Sequence, residues 1–287
     1  MTTGAETESA GVIGLGLVGS PVARLLRDTG AHVYVWSRSP KPVPNFVASP
    51  AELVQLTRRI QVFVNDGAGL VELVRQMEPK LGSHHIVINN STVDPQSVVE
   101  AYEIVRAAGA GFLDAPFSGG PDAAGRGELV YYVGGDPSLL EKARDLLEIS
   151  GRELVYVGRV GEATVVKLAS NMIVANAIEA AAEAIELVES TGMDPARLGE
   201  VLENHGIGSP LLLETFAAMR EQDFDPRFTL ENMFGDLQNT LALAQAFGLD
   251  LPGLSTTTSV FYRAVQRGHG PSDVAAIARF TKENRKG

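Results

Sequence analysis

A lysine among apolar neighbours on a helix, with an amide one turn further on, is the pairing in this chain best suited to moving a proton. Lys167 lies between Val165, Val166, Leu168 and Ala169, and Asn171 follows four residues later. Desolvation disfavours the charged ammonium and draws a lysine pKa toward the working pH. Positions i and i+4 share a helix face, so the Asn171 amide projects beside Lys167 and can orient a substrate oxygen or carboxylate. Interconverting an alcohol and a carbonyl needs such a group while hydride moves at a nicotinamide. The other reading of Lys167 is a snorkelling side chain at a helix edge.

A nicotinamide cofactor needs a phosphate cradle, and Gly14-Leu15-Gly16-Leu17-Val18-Gly19 has the spacing of one. The spacing alone means little in a chain with 30 glycines. Its setting adds the meaning: an apolar strand precedes it, Pro21 suits a first helical turn, and Val22, Leu25 and Leu26 give the following helix an inward face. Gly14 permits the tight turn, Gly16 lets backbone approach the pyrophosphate, and Gly19 lets helix and strand pack closely. The next strand ends in Ser37-Arg38-Ser39 where an NAD site would place Asp or Glu. Arg38 can fork onto a 2′-phosphate, Ser37 and Ser39 can add hydroxyl bonds, and Lys41 adds charge, so NADP is favoured over NAD. Arg38 could equally be an ordinary exposed arginine.

Other chemistries are excluded or unsupported. The chain has no cysteine, which removes thiolate nucleophiles, disulfides and cysteine metal sites. His32, His84, His85, His205 and His269 lack metal-ligand spacing, so no metal is expected. No Ser-His-Asp order is supported by a nucleophile elbow. The 24 basic residues against 35 acidic ones are scattered, which argues against a nucleic-acid partner. There is no run of about 18 apolar residues, and the polar start Met1–Ser9 lacks the layout of a signal peptide, so no membrane partner and a cytoplasmic location are expected.

The elements that must position these residues change character once. Apolar runs at Val12–Ile13, Val33–Trp36, Gln61–Val64, Ile86–Asn89, Phe112–Asp114 and Leu154–Val157 read as strands alternating with helices, which implies βαβ units and a parallel sheet. Beyond them the pattern is helical: Glu162–Ser190, then about Pro195–Glu203, Pro210–Gln222, Leu230–Phe247 and Leu254–Gln266. The fold class expected is α/β, an N-terminal Rossmann-type, doubly wound, mainly parallel sheet joined by a long helix to an all-α C-terminal domain. Residues 1–161 form the NADP-binding domain and 162–287 the substrate and oligomerisation domain. The long helix is apolar on most of its circumference, so it should be buried at a domain seam or in a homodimer or homotetramer.

Ser118-Gly119-Gly120 follows the fifth strand, where the carboxyl ends of a parallel sheet open onto a ligand crevice. Backbone N–H groups beside two glycines, with a serine hydroxyl, would hold a carboxylate; a plain turn is the alternative. Ser91 and Thr92 follow the fourth strand and should reach the space between nicotinamide and substrate, or cap the helix that begins at Pro95.

Four segments in this order resemble the β-hydroxyacid dehydrogenase family: Val12–Gly19, Ser91–Pro95, Asp114–Gly120 and Gly158–Asn171 with Gly161, Lys167 and Asn171. The likeness runs over almost the whole chain. It implies an NADP(H)-dependent oxidoreductase interconverting a small hydroxy acid and its aldehyde or keto acid, with Lys167 as general acid/base and Asn171 as a substrate ligand. It implies further that Ser118, Gly119 and Gly120 bind the substrate acid group, that Ser91 and Thr92 sit between cofactor and substrate, and that Val64, Asn65 and Asp66 contact the cofactor. Asn65-Asp66-Gly67 is also a turn signature.

Two departures bear on the substrate. Family members often carry a Lys-Asp pair in the C-terminal domain, where this chain has Gly235-Asp236. Losing the lysine removes a positive charge and enlarges the pocket, which suits a bulkier or less anionic substrate. Asp236 remains as a pocket residue, with Phe228 and Met233 lining it or merely packing. Ser170 stands where many relatives have the first of two asparagines. The alternatives are an imine reductase-like NADPH enzyme and a non-catalytic NADP-binding scaffold, and the retained Lys167 separates the leading reading from both.

Overall fold

The structure is a computed structural model and describes residues 9–283, so all of the polar start except Ser9 lies outside the described residues. The chain forms two compact units, Met1–Lys167 and Leu168–Gly287.

The first unit holds strands β1 (Ser9–Ile13), β2 (His32–Trp36), β3 (Arg59–Val62), β4 (Ile86–Asn89), β5 (Gly111–Asp114), β6 (Phe117–Ser118), β7 (Leu129–Gly135) and β8 (Gly151–Gly158). Between them run helices α1 (Gly19–Asp28), α2 (Pro50–Leu56), α3 (Gly67–Met77), α4 (Pro95–Ala107), α5 (Pro121–Arg126) and α6 (Pro137–Ser150). The sheet order is β2-β1-β3-β4-β5-β7-β6, with β8 beside β7. Strands β2 to β5 and β1 are mutually parallel, whereas β7 runs antiparallel to β5 and β6. The winding reverses at β1, which places a ligand crevice at the carboxyl ends of β1 and β3.

Alternate strand residues feed opposite faces. Val12, Ile88 and Leu113 pack with Val22 and Leu26 of α1, while Ile13, Val87 and Phe112 pack with Leu53 and Leu70. Both faces are covered, so the central strands read as unbroken apolar runs. Burying each such side chain contributes about 1.5–3 kcal/mol.

β3 and β7 differ from the sequence reading for identifiable reasons. β3 begins at Arg59 and ends at Val62, two residues before the expected Val64, because the buried Arg59 guanidinium pairs with Asp145 and a charged residue can open a central strand. β7 was not expected. It lies antiparallel at the end of the parallel series, outside any βαβ count, and buries Tyr131 while leaving Tyr132 half-exposed.

Helix α7 (Glu162–Ser190) ends the first unit and opens the second, which continues with α8 (Ala196–Glu203), α9 (Pro210–Glu221), α10 (Leu230–Ala246), α11 (Pro252–Ala264) and α12 (Ile277–Glu283). The core of that unit gathers Ile178, Phe216, Met233, Phe261 and Phe280. The expectation that α7 is buried holds for only part of its surface. Ile173 and Leu187 are 66% and 69% exposed, since a helix apolar all round offers one chain more apolar surface than its neighbours cover. By length and composition α7 could cross a membrane, with a mean hydropathy of 1.3 over 18 residues, although it also carries Lys167, Asn171, Glu179 and Glu183.

The start of α7 is held by a carboxylate on β5. Asp114 is fully buried; its Oδ2 accepts from the N–H groups of Gly161 and Thr164, both at 3.0 Å, and its Oδ1 accepts from Thr164 Oγ1 at 2.8 Å. Burial pushes the Asp114 carboxyl up to about 6, against the pull of those bonds and of Asn89. A native pKa above the unfolded value means that stability from this group is fully present below about pH 4 and is lost as pH rises through about 6. The shift of about two pH units corresponds to roughly 3 kcal/mol. We therefore expect the thermal midpoint of Asp114→Asn, relative to that of the parent protein, to rise between pH 4 and pH 7. Calorimetry across that range checks it, and a difference that stays flat contradicts it.

Candidate active site

The turn after β1 is closed by backbone contacts that only glycine allows. Gly14 has φ of 93°, and a Cβ there would sit 1.8 Å from the Phe63 carbonyl oxygen. A Cβ on Gly19 would lie 1.9 Å from the Gly14 carbonyl oxygen. At Gly16, by contrast, a Cβ would meet nothing within 4 Å, so this residue faces open space at the start of α1. The first turn of α1 has no side-chain cap and no acidic residue, leaving its dipole and N–H groups to an anion. These features fit a dinucleotide pyrophosphate, with Leu15, Leu17 and Val18 supplying the rest of the turn.

At the end of β2, Arg38 is exposed and makes no ion pair among the described residues. The loop around it is ordered by its own groups: Ser37 Oγ donates to the Ser39 carbonyl at 2.6 Å, and Lys41 Nζ donates to the Leu15 carbonyl. Lys41 thus straps this loop to the glycine turn, which keeps Arg38 near the same strand ends.

Past β3 and β4 several residues serve the fold as well as the crevice. Asp66 caps α3, accepting from Gly69 N at 2.7 Å, next to the exposed Asn65. Ser91 is buried; its Oγ accepts from Val64 N at 2.9 Å and its own N–H donates to Asn89 Oδ1 at 3.1 Å. Neither Ser91 nor Thr92 caps the next helix. That place is taken by Asp94, which accepts from Ser97 N at 2.8 Å, because the cap must directly precede Pro95 at the first helical position. Thr92 is half-buried.

Ser118, Gly119 and Gly120 follow β5, with φ of 115° at Gly119 and Gly120 preceding α5 without a side-chain cap. Ser118 Oγ lies 2.8 Å from the Tyr132 hydroxyl. Sequence reasoning missed Tyr132, and the alternation Leu129-Val130-Tyr131-Tyr132-Val133 was the signal available. The parallel strands end at one edge of the sheet, so the glycine turn, Val64–Asp66, Ser91–Thr92 and Ser118–Gly120 all converge there.

Lys167 is half-buried on α7, one turn past Thr164. The apolar surround read from sequence is only partly present. Val165 and Val166 are 37% and 41% exposed and only Leu168 is buried, since successive helix residues point about 100° apart. In the second unit Asn171 Nδ2 donates to Asp236 Oδ2 at 2.6 Å, both side chains being buried. Met233 belongs to the core and Phe228 packs on it, which is the ordinary packing reading of those two residues. A Cβ on Gly235 would meet nothing within 4 Å.

Comparison with known proteins places these features in a family. The NAD binding domain of 6-phosphogluconate dehydrogenase matches residues 9–158, and the domain described as NAD-binding of NADP-dependent 3-hydroxyisobutyrate dehydrogenase matches residues 161–281. Glyoxylate/succinic semialdehyde reductase 2, chloroplastic, of Arabidopsis thaliana is 28% identical over 286 residues, covering 96% of this chain and 80% of its own. The 2-hydroxy-3-oxopropionate reductase of Escherichia coli (strain K12) is 29% identical over 280 residues, covering 94% and 95%. In fold, the chain is similar to Mycobacterium tuberculosis 3-hydroxyisobutyrate dehydrogenase with L-serine, at a TM-score of 0.86, 23% identity, and coverage of 96% and 99%. A glycine turn shaped for a dinucleotide, followed by both halves of one enzyme architecture, makes this chain a member of the β-hydroxyacid dehydrogenase family, an NADP-binding oxidoreductase acting on CH–OH groups.

Proposed function

We propose that the protein reduces a small aldehyde or keto acid to its hydroxy acid, and catalyses the reverse reaction, with Lys167 as the general acid/base. The observation that carries this is the anchoring of α7 by Asp114 at the sheet edge where the glycine turn, Ser91–Thr92 and Ser118–Gly120 converge. The nicotinamide cofactor, when bound, would supply the hydride as NADPH or accept it as NADP+. In the reductive direction the Lys167 ammonium gives its proton to the carbonyl oxygen of the substrate, and in the oxidative direction its amine takes the hydroxyl proton. The N–H groups around Gly119 and Gly120, with the Ser118 hydroxyl, hold the substrate carboxylate. To Asn171 and Asp236, bonded to each other within the second unit, we assign substrate binding, and to the open space at Gly235 the acceptance of a bulkier substrate than a short semialdehyde.

We assign cofactor binding to residues 1–161, with Gly14–Gly19 on the pyrophosphate, Val64, Asn65, Asp66, Ser91 and Thr92 toward the nicotinamide side, and Arg38 with Ser37 and Ser39 on the 2′-phosphate. Residues 162–287 carry substrate recognition and self-association. The exposed Ile173 and Leu187 on α7 support a homodimer or homotetramer, since a second copy would cover the apolar surface that one chain leaves open. That reading, and the cytoplasmic location proposed with it, are preferred to membrane insertion because charged residues interrupt α7.

Three outcomes are expected. Lys167→Ala should lower kcat for NADPH oxidation with glyoxylate or succinic semialdehyde by about 10²–10⁴-fold while NADPH still binds, as followed by absorbance and by fluorescence titration. Turnover preserved in that variant would remove the lysine from the chemistry. Arg38→Ala should weaken NADPH binding about tenfold or more and leave NADH binding unchanged, the loss of a charge-assisted bond to phosphate. Sedimentation should show a stable oligomer at micromolar concentration that dissociates in Ile173→Glu with Leu187→Glu; a monomeric parent protein would refute the assembly.

A further inference from the structure

We propose that Asp114 is the positioning residue for Lys167, fixing the start of the proton-transfer helix through three buried hydrogen bonds. The proposal rests on the reading of Lys167 given above. It starts from a gap in local capping: the residues before α7 are Arg159, Val160 and Gly161, none of which has a side chain that caps well, and Gly161 has φ of 88°. Two N–H groups of that first turn are met from a residue 47 to 50 positions away in sequence, while the Glu162 N–H donates to the Arg159 carbonyl at 3.1 Å. Gly161 N and Thr164 N both donate to Asp114 Oδ2, and Thr164 Oγ1 donates to Oδ1. Three donors spanning one helical turn onto one planar carboxylate fix the rotation of the helix about its axis as well as its end. A carboxylate at a helix N-terminus is also favoured by the helix dipole.

Lys167 is three residues beyond Thr164, on the same side of the helix one turn later. Whatever sets the rotation at Thr164 therefore sets the direction of the Lys167 side chain. On its other side Asp114 is in register with Asn89, its partner in the parallel β4–β5 pair. Asn89 Oδ1 accepts from Ser91 N at 3.1 Å, and Ser91 Oγ accepts from Val64 N at 2.9 Å. One set of bonds thus orders the ends of β3 and β4 around Ser91, and beside it a buried set runs from Asp114 on β5 to the helix of Lys167. All of these bonds lie within the first unit. Displacements of about 1 Å in a reacting group cost on the order of 10²-fold in rate, so a cap that locks rotation matters to turnover without touching substrate.

The test is Thr164→Val, which keeps the β-branched shape and deletes only the hydroxyl donor, set beside Thr164→Ser, Lys167→Ala and the parent protein, all full-length. Amide hydrogen exchange over residues 159–171 is measured in the presence of NADPH, together with NADPH affinity and with kcat and KM for glyoxylate and succinic semialdehyde. The expected result for Thr164→Val is faster exchange confined to the first turn of α7, kcat lower by about tenfold, and NADPH affinity within about twofold of the parent, with Thr164→Ser restoring kcat. Unchanged exchange in Thr164→Val overturns the proposal. So does faster exchange with unchanged kcat while Lys167→Ala is inactive, which would leave the proton-transfer reading standing. A Lys167→Ala protein that turns over like the parent overturns that reading, and this proposal with it.

Discussion

The Phe63 carbonyl oxygen occupies the place where a side chain on residue 14 would begin, and the arrangement of the first unit depends on that close approach. Gly14 N also donates to the Trp36 carbonyl at 2.8 Å and Phe63 N to the Ile13 carbonyl at 2.8 Å, so the end of β1 is pinned between its two neighbours at the point where the chain must turn. Without a Cβ at residues 14 and 19 the turn can fold back on β1, and α1 can start with its N–H groups facing the crevice. A larger residue at either position would lift the turn off the sheet and take the phosphate cradle with it. At Gly16, by contrast, an added Cβ would meet nothing within 4 Å, so that position leaves the turn open.

From that edge the structure recruits each loop to two duties. Ser91 orders the ends of β3 and β4 while standing next to Thr92; Asp66 caps α3 while standing next to Asn65; Lys41 straps the Arg38 loop to the glycine turn. Residues so used hold neighbouring groups with little motion, which is what positioning for hydride and proton transfer requires. The Asp114 carboxylate is the extreme case. Its burial disfavours the ionised form, so at neutral pH it is retained at a cost to stability, which suits a role in placing α7 better than a role in holding the fold together.

The second unit shows the converse economy. Asn171 and Asp236 satisfy each other inside a helical core, where an unpaired carboxylate would be unfavourable. Gly235 beside them has open space in place of a side chain, and the apolar surface of α7 around Ile173 and Leu187 stays uncovered within one chain. Gly235 and the Ile173–Leu187 surface are thus two places where this chain supplies less side chain, or less cover, than its own packing could use.

Local signals in the sequence determined the doubly wound sheet, the helical second half, the dinucleotide turn and the candidate residues Lys167, Asn171 and Arg38. Each rests on short-range physics: apolar periodicity, glycine where φ is positive, the charge of a side chain beside a strand end. Tertiary structure alone decided the rest. It began β3 at Arg59, a buried charge met by groups 83 and 86 residues away, the Lys142 carbonyl and Asp145. It gave the α4 cap to Asp94, exposed Val165 and Val166, paired Ser118 with Tyr132, and brought Asp114 to the start of α7. These are matters of which distant groups meet, and a buried hydrogen bond between residues far apart in sequence leaves no periodic trace from which it could be read.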